Sequence, residues 1–201
     1  MITVASIQRA LAQVNESFEA ACKFEEGKAI DEARFHYSLA LAVLNVLSAS
    51  CADELFRVRT WLPRVHERIG RIDLARLNTS EAAHHLEAAR VGYDALGYGG
   101  INSFAVSVLL AEAHVRSGNA EAGKAAARLA TEALELVEDY CSPSAVYAYY
   151  WLYRSELMLG DPEAATAAAG RMVALLDGNP DVINSGTASL LRRELASGSV
   201  A

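Results

Sequence analysis

The sequence predicts an all-α protein built from consecutive antiparallel helix pairs, and three observations carry that prediction. Apolar residues recur at alternating spacings of three and four along nearly the whole chain, which places them on one face of each successive helix. Capping and turn residues interrupt this periodicity at regular intervals. Alanine is abundant, as in Ala125-Ala126-Ala127 and Ala167-Ala168-Ala169. It has the best helix propensity and is small enough to let helix axes approach closely. No segment reads as a strand.

The first helix carries Val4, Ile7, Leu11, Val14, Phe18 and Ala21 on one face, with Thr3 as its N-cap. After a break around Gly27, the second presents Ala33, Tyr37, Ala40, Leu41, Leu44 and Leu47. Leu55, Val58, Leu62, Val65 and Ile69 mark a third, with Ser50 and Asp53 as a capping arrangement before it. Pro63 predicts a kink or an altered start there. Asn78 and Glu81 open a fourth helix bearing Ala82, Leu86, Ala89, Tyr93 and Leu96. The stretch from Asp94 through Gly97, Tyr98 and Gly99 to Gly100 reads as a connection between repeats.

Asn102 is the expected cap of a fifth helix with Phe104, Val108, Ala111 and Val115, ending before Ser117-Gly118. Asn119 caps the sixth, which carries Ala122, Ala126, Leu129, Ala133, Leu136 and Tyr140. Ser142-Pro143 and Asp161-Pro162 each place a capping side chain before a proline at the first helical position, where the missing N–H costs nothing. The helices they open carry Val146, Tyr149, Tyr153 and Leu157, then Ala165, Ala168, Met172 and Leu175. A last short helix, about Asn184 to Leu195, carries Leu190, Leu191 and Leu195 within a capping segment 182–196. The expectation is about eight helices plus a capping helix in a single domain, 1–201.

Of the 201 residues, 52% are hydrophobic and 21% charged, with a mean hydropathy of +0.13. Such a chain buries enough apolar surface to offset the entropy of ordering. The net charge of −7 argues against broad nucleic-acid binding, which needs a basic surface. Cys22, Cys51 and Cys141 are odd in number, far apart and without zinc spacing, which points to a reducing compartment. The N-terminal residues show no basic segment followed by an apolar run. No window approaches the roughly 20 apolar residues of a membrane span. A soluble cytoplasmic protein without membrane partners is expected.

Four glycines, Gly27, Gly70, Gly118 and Gly160, are assigned to the turns inside successive helix pairs. The clearest unit runs from Leu110-Ala111 through His114, Gly118, Ala122, Gly123 and Ala127 to Ala130. It resembles the tetratricopeptide pattern, with Leu110 and Ala111 at first-helix packing positions, Gly118 at the turn, and Gly123, Ala127 and Ala130 at small second-helix positions. Gly160-Asp161 followed by Ala164 and Ala165 matches again. The resemblance is clear over 101–178 and degraded over 1–100. The glycine spacing exceeds the roughly 34 residues of that repeat and also fits a HEAT-like period. The resemblance implies a right-handed solenoid whose first helices line a concave groove for a protein or peptide segment. Long repeats of this kind are similar to those of bacterial transcription-regulator sensor arms, although no helix-turn-helix segment is present.

Two clusters are candidates for that groove. Tyr147, Tyr150, Trp151 and Arg154 are left facing the groove if Tyr149 and Tyr153 pack inward, and aromatics and arginine concentrate binding energy at interfaces. The alternative is that these rings fill space between alanine-rich neighbours. Arg57, Trp61, Arg64 and Arg68 recur at helical spacing as a stripe that Arg116 and Arg154 extend. Such a face suits acidic residues or a free carboxylate. The competing account is a solvated face whose arginines pair with the excess Asp and Glu.

His84 and His85 point about 100° apart on a helix, so metal binding with Glu81 and Glu87 is not expected. Cys141 stands at a helix start, where a thiol pKa falls, but no base adjoins it in sequence. No nucleophile, phosphate-loop or metalloprotease motif is present. These readings converge on a non-catalytic scaffold or adaptor with no cofactor and no metal. A sensor of a small molecule or signal peptide that controls a separate regulator is the alternative. A homodimer is left open, because short solenoids expose end faces.

Overall fold

The computed structural model describes residues 3–50, 55–97, 100–135 and 142–197. Among these residues the chain forms nine α-helices and no strand: α1 (Val4–Glu26), α2 (Ile30–Ser50), α3 (Leu55–Ala75), α4 (Thr79–Ala95), α5 (Ile101–Arg116), α6 (Ala120–Glu135), α7 (Pro143–Met158), α8 (Pro162–Gly178) and α9 (Ser185–Ser197). The helices fall into two compact units, Met1–Val106 and Ser107–Ala201. The expectations for Cys51, Asp53, Tyr98, Gly99, Leu136, Tyr140 and Cys141, and for the side chains of Val4 and Leu55, lie outside the described residues.

Most helix starts follow from their caps. Thr3 accepts from the Ser6 N–H at 3.2 Å while the Ser6 side chain accepts from the Thr3 N–H at 3.0 Å, closing a capping box. Asn119, Ser142, Asp161 and Asn184 each accept from the N–H three residues on, at 2.8–3.2 Å. Two expected caps are not made. Asn78 makes no side-chain cap bond, and Asn102 lies inside α5, which begins at Ile101.

The turns inside the pairs share one hydrogen-bond pattern. Lys28, Leu77, Gly118 and Gly160 adopt positive φ, at 60°, 62°, 81° and 74°. The N–H of the next residue in each case donates to the carbonyl five positions back: Ala29 to Phe24, Asn78 to Asp73, Asn119 to His114, and Asp161 to Glu156, at 2.8–3.0 Å. These are Schellman ends, and they satisfy carbonyls that the helix leaves open. The assignment of Gly27 and Gly70 to left-handed turns is corrected. Gly27 has φ −76° and the next residue, Lys28, makes the turn. Gly70 lies inside α3, where a Cβ would stand 2.7 Å from Leu86 of α4, so it serves close helix contact.

In the first unit α1, α2 and α3 bury Val14, Ala21, Tyr37, Ala40, Leu44, Val65 and Ile69 in one cluster. α3 runs unbroken through Pro63, whose ring lies where a Cβ on Gly92 of α4 would meet it at 2.9 Å. In the second unit Ala127, Ala130, Ala145, Val146, Ala148, Met172 and Leu176 are buried. Leu129 and Leu190, expected on buried faces, are exposed; Ala130 and Leu191 beside them in sequence take the inner positions.

Two buried carboxylates and a half-buried histidine pair are among the contacts that tie helices together. Asp73 of α3 is 0% exposed and receives Arg34 of α2 through two bonds, Nε at 2.7 Å and Nη2 at 3.0 Å. Glu156 of α7 is similarly buried and faces Lys124 and Arg128 of α6 at 2.6 and 3.3 Å. The lysine is close to Oε2 but off the direction of a hydrogen bond. Between α3 and α4, His66 Nδ1 lies 2.9 Å from His85 Nδ1, so one ring carries its proton on Nδ1 and the other on Nε2. Burial first, then the neighbouring His85 and His84, push His66 down to about 4. Burial also lowers His85, against the opposing pull of Asp73 and Glu81.

Two stability predictions follow from these contacts. Arg34→Ala strands a fully buried carboxylate and costs about 3–5 kcal/mol. Asp73→Ala leaves a third-exposed guanidinium that turns to water, at about 1–3 kcal/mol. Chemical denaturation giving the reverse order removes the buried-pair account. For the histidines, the folded pKa lies below the unfolded one, so the unfolded chain binds more protons as pH falls. Stability is complete above about pH 6.5 and declines as pH drops toward 4. His66→Leu flattens that decline, which denaturation at a series of pH values measures.

Candidate functional site

The candidate residues lie on first members of helix pairs, α3, α5 and α7, while α1 carries none; α9 follows α8 as a further first helix. The candidates form two groups, one in each unit.

Arg57, Trp61, Arg64 and Arg68 share one face of α3 at spacings of four, three and four. Arg57 and Arg64 are exposed, while Trp61 and Arg68 are half-buried. Trp61 meets Phe18 of α1 edge to face, with centroids 4.9 Å apart, and Phe18 meets Tyr37 of α2 at 5.2 Å. Beside this aromatic cluster the Glu25 carboxylate accepts from the Tyr37 hydroxyl at 2.9 Å and from Arg68 Nη1 at 3.3 and 3.4 Å. Burial holds the Tyr37 phenol protonated, and the bond to Cys22 Sγ at 3.3 Å and that to Glu25 add to the effect. Arg68 is therefore engaged internally. Arg57 and Arg64 form no ion pair among the described residues.

On α7 the arrangement differs from the expected open lining. Tyr147 is half-buried, but Tyr150 and Trp151 are only 9% and 6% exposed. From α9, Glu194 accepts from the Tyr150 hydroxyl at 3.0 Å and from Arg154 Nη1 at 2.5 Å. Arg154 also donates to the Tyr150 oxygen at 3.2 Å. On the other side, the Arg116 guanidinium of α5 lies 5.8 Å from the Trp151 ring centroid, within cation–π range. Arg116 also pairs with Glu112 one turn back, at 2.8 Å. Burial raises the Glu112 carboxyl pKa while Arg116 opposes that shift. Tyr153 is buried as expected and Tyr149 half-buried.

Sequence reasoning missed Glu25 and Glu194, the two carboxylates held on first helices. Each lies about 40 residues from its arginine, and local periodicity carries no signal for such pairs. It also missed that His85 meets His66 across the helix pair. His84 and His85 lie with ring centroids 5.4 Å apart. Among the described residues no three His, Cys, Asp or Glu side chains gather to hold a metal ion. No described helix is long and apolar enough to cross a membrane.

No protein-family model matches the chain, and no curated protein matches it in sequence. Solved structures do resemble it. The crystal structure of BtubC (BKLC) from P. vanneervenii superposes with a TM-score of 0.68 at 14% identity, over 86% of this chain and 66% of that one. A putative kinesin light chain with nearly identical TPR-like repeats from Podosopora anserina superposes with a TM-score of 0.63 at 14% identity, over 84% of this chain and 76% of that one. Identity this low speaks to the fold alone. The Schellman-ended helix pairs and these superpositions together show that the chain has a tetratricopeptide-like helical-repeat fold.

Proposed function

We propose that the protein is a non-catalytic scaffold or adaptor that binds a protein or peptide through its first-helix faces. The partner presents acidic side chains or a free carboxylate. The observation that carries this reading is the α3 stripe, where exposed Arg57 and Arg64 flank half-buried Trp61. Between Leu55 and Ala75 the helix has five arginines against one glutamate and one aspartate, inside a chain of net charge −7. A concentration of unpaired guanidinium groups beside an indole favours carboxylate capture by charge-assisted bonds, with the ring supplying apolar contact.

Two internal contacts support the same chemistry. Glu25 rests on Arg68 and Tyr37, and Glu194 on Arg154 and Tyr150. Each carboxylate is thus already held by an arginine of a first helix and a phenol, the latter from α2 in one case and α7 in the other. In the second unit Tyr150 and Trp151 are buried, Arg154 is engaged by Glu194, Tyr147 is half-buried and Arg116 is exposed, so these residues shape that unit's own first-helix face.

The test compares wild type with the Arg57→Glu/Arg64→Glu double variant as baits in extracts of the native organism, with bound proteins quantified by mass spectrometry. Both side chains are exposed, so helicity and melting stay within the small range of surface substitutions. Recovery of the specific partner falls about tenfold or more, as expected when attractive charges become repulsive. Equal recovery of the same proteins by both baits removes the α3 stripe as the site. Trp151→Ala is a poorer probe, because loss of a buried ring destabilises the fold itself.

A further inference from the structure

The second helices of the pairs expose charge on their outer sides: Glu81, Glu87 and Asp94 on α4, Glu121, Arg128 and Glu132 on α6, and Glu163, Arg171 and Asp177 on α8. α2 does not. From Phe35 to Ser50 it contains no charged residue. Its exposed side presents Phe35 at 60%, Leu39 at 41% and Val46 at 64% exposure, with Ala42 and Ala49 exposed between and beyond them. Their spacings of four, three, four and three give a period of 3.5, which is that of a coiled-coil seam. A seam of this period fits a helix, since a strand or an irregular segment does not follow it.

We propose that this seam joins two copies of the chain, α2 against α2, antiparallel, about a two-fold axis between Ala40 and Leu41. In that register Phe35 faces the partner's Val46 and Leu39 faces the partner's Ala42, with the same two layers repeated by symmetry. Each layer sets a large side chain opposite a smaller one, as close packing requires. A parallel pairing would stack Phe35 on Phe35 and Ala42 on Ala42, leaving one layer overfilled and another empty. It would also bring Asp31 and Glu32 beside their own counterparts, whereas the antiparallel pair separates them. The uncharged seam is also where two chains of charge −7 meet with least repulsion.

Four layers of one helix pair bury less than the ~800 Å² per partner of a standard stable interface, so the dimer is a weak one. Sedimentation of the full chain from about 1 to 500 µM, a range bracketing weak association, should show the mass rising from monomer to dimer. Leu39→Glu and Ala42→Lys, each alone, should remain monomeric at the highest concentration, with unchanged circular dichroism. Their equimolar mixture should recover dimer, because the predicted layer then pairs the new glutamate with the new lysine. Arg57→Glu/Arg64→Glu leaves self-association unchanged, which separates this proposal from the α3 site. A wild-type chain that stays monomeric throughout overturns the proposal. A wild-type dimer that survives Leu39→Glu overturns it too, by moving the interface elsewhere.

Discussion

A buried carboxylate on a first helix, met by a cation from the second helix before it, is the contact on which the stacking of pairs depends. It occurs once in each unit at matching positions. Asp73 lies four residues before the left-handed Leu77, and Glu156 lies four before the left-handed Gly160. Their cations are matched as well, since Arg34 and Lys124 each come six residues after a left-handed residue, Lys28 or Gly118. Apolar burial alone allows neighbouring pairs to slide, because alanine-rich faces are smooth and fit in more than one register. A fully buried charge does not, because a slide of one turn would leave it unpaired at a cost of several kcal/mol. The backbone carbonyls of Asp73 and Glu156 also accept the Schellman bonds of their turns. One residue therefore fixes both the end of a helix and its partner across the next gap.

Around these fixed points, small residues set the distance. Gly70 admits Leu86 between α3 and α4, and a Cβ on Gly123 of α6 would stand 2.7 Å from Val115 of α5. Close approach brings polar side chains of adjacent helices within reach of one another, which is how His66 reaches His85. It also places first helices near enough to share carboxylates, as Glu25 and Glu194 show. The candidate binding chemistry is in this sense a by-product of the packing. Arg68 and Arg154 are met by a carboxylate from a neighbouring first helix, whereas Arg57 and Arg64 are met by none among the described residues.

Much of the fold was legible because its signals are local. Prolines after Ser142 and Asp161 marked two helix starts, and the Gly118 and Gly160 turns were readable because glycine favours positive φ. The corresponding turns at Lys28 and Leu77 were not, because nothing about lysine or leucine announces a left-handed conformation. Gly27 and Gly70 then drew the assignment away from them. The apolar periodicity located most buried positions but misplaced Leu129 and Leu190, where a neighbour one residue away faces inward. Candidate site residues were found as types and spacings on single helices. What meets Tyr150 and Trp151 comes from elsewhere in the chain, Glu194 of α9 to the one and Arg116 of α5 to the other, and helical periodicity has no reach over that distance.

The same limit explains why charge proved more informative than hydrophobicity about the surface of the first unit. Apolar residues are expected inside, so an apolar pattern on α2 was read as core, and for Ala33, Tyr37, Ala40 and Leu44 that is right. The second apolar pattern on the same helix, from Phe35 to Ala49, is distinguished by what it lacks. A solvated face in a chain that is 21% charged carries charge, as the outer sides of α4, α6 and α8 do. Against that background the absence of charge over Phe35–Ser50 and the excess of arginine on α3 are departures of opposite kind. Neutrality favours a partner that removes the surface from water, and unpaired cations favour one that brings carboxylates. The first unit therefore carries two surfaces with different chemical demands, and a single partner meets both only if it presents an apolar helix and an acidic segment together.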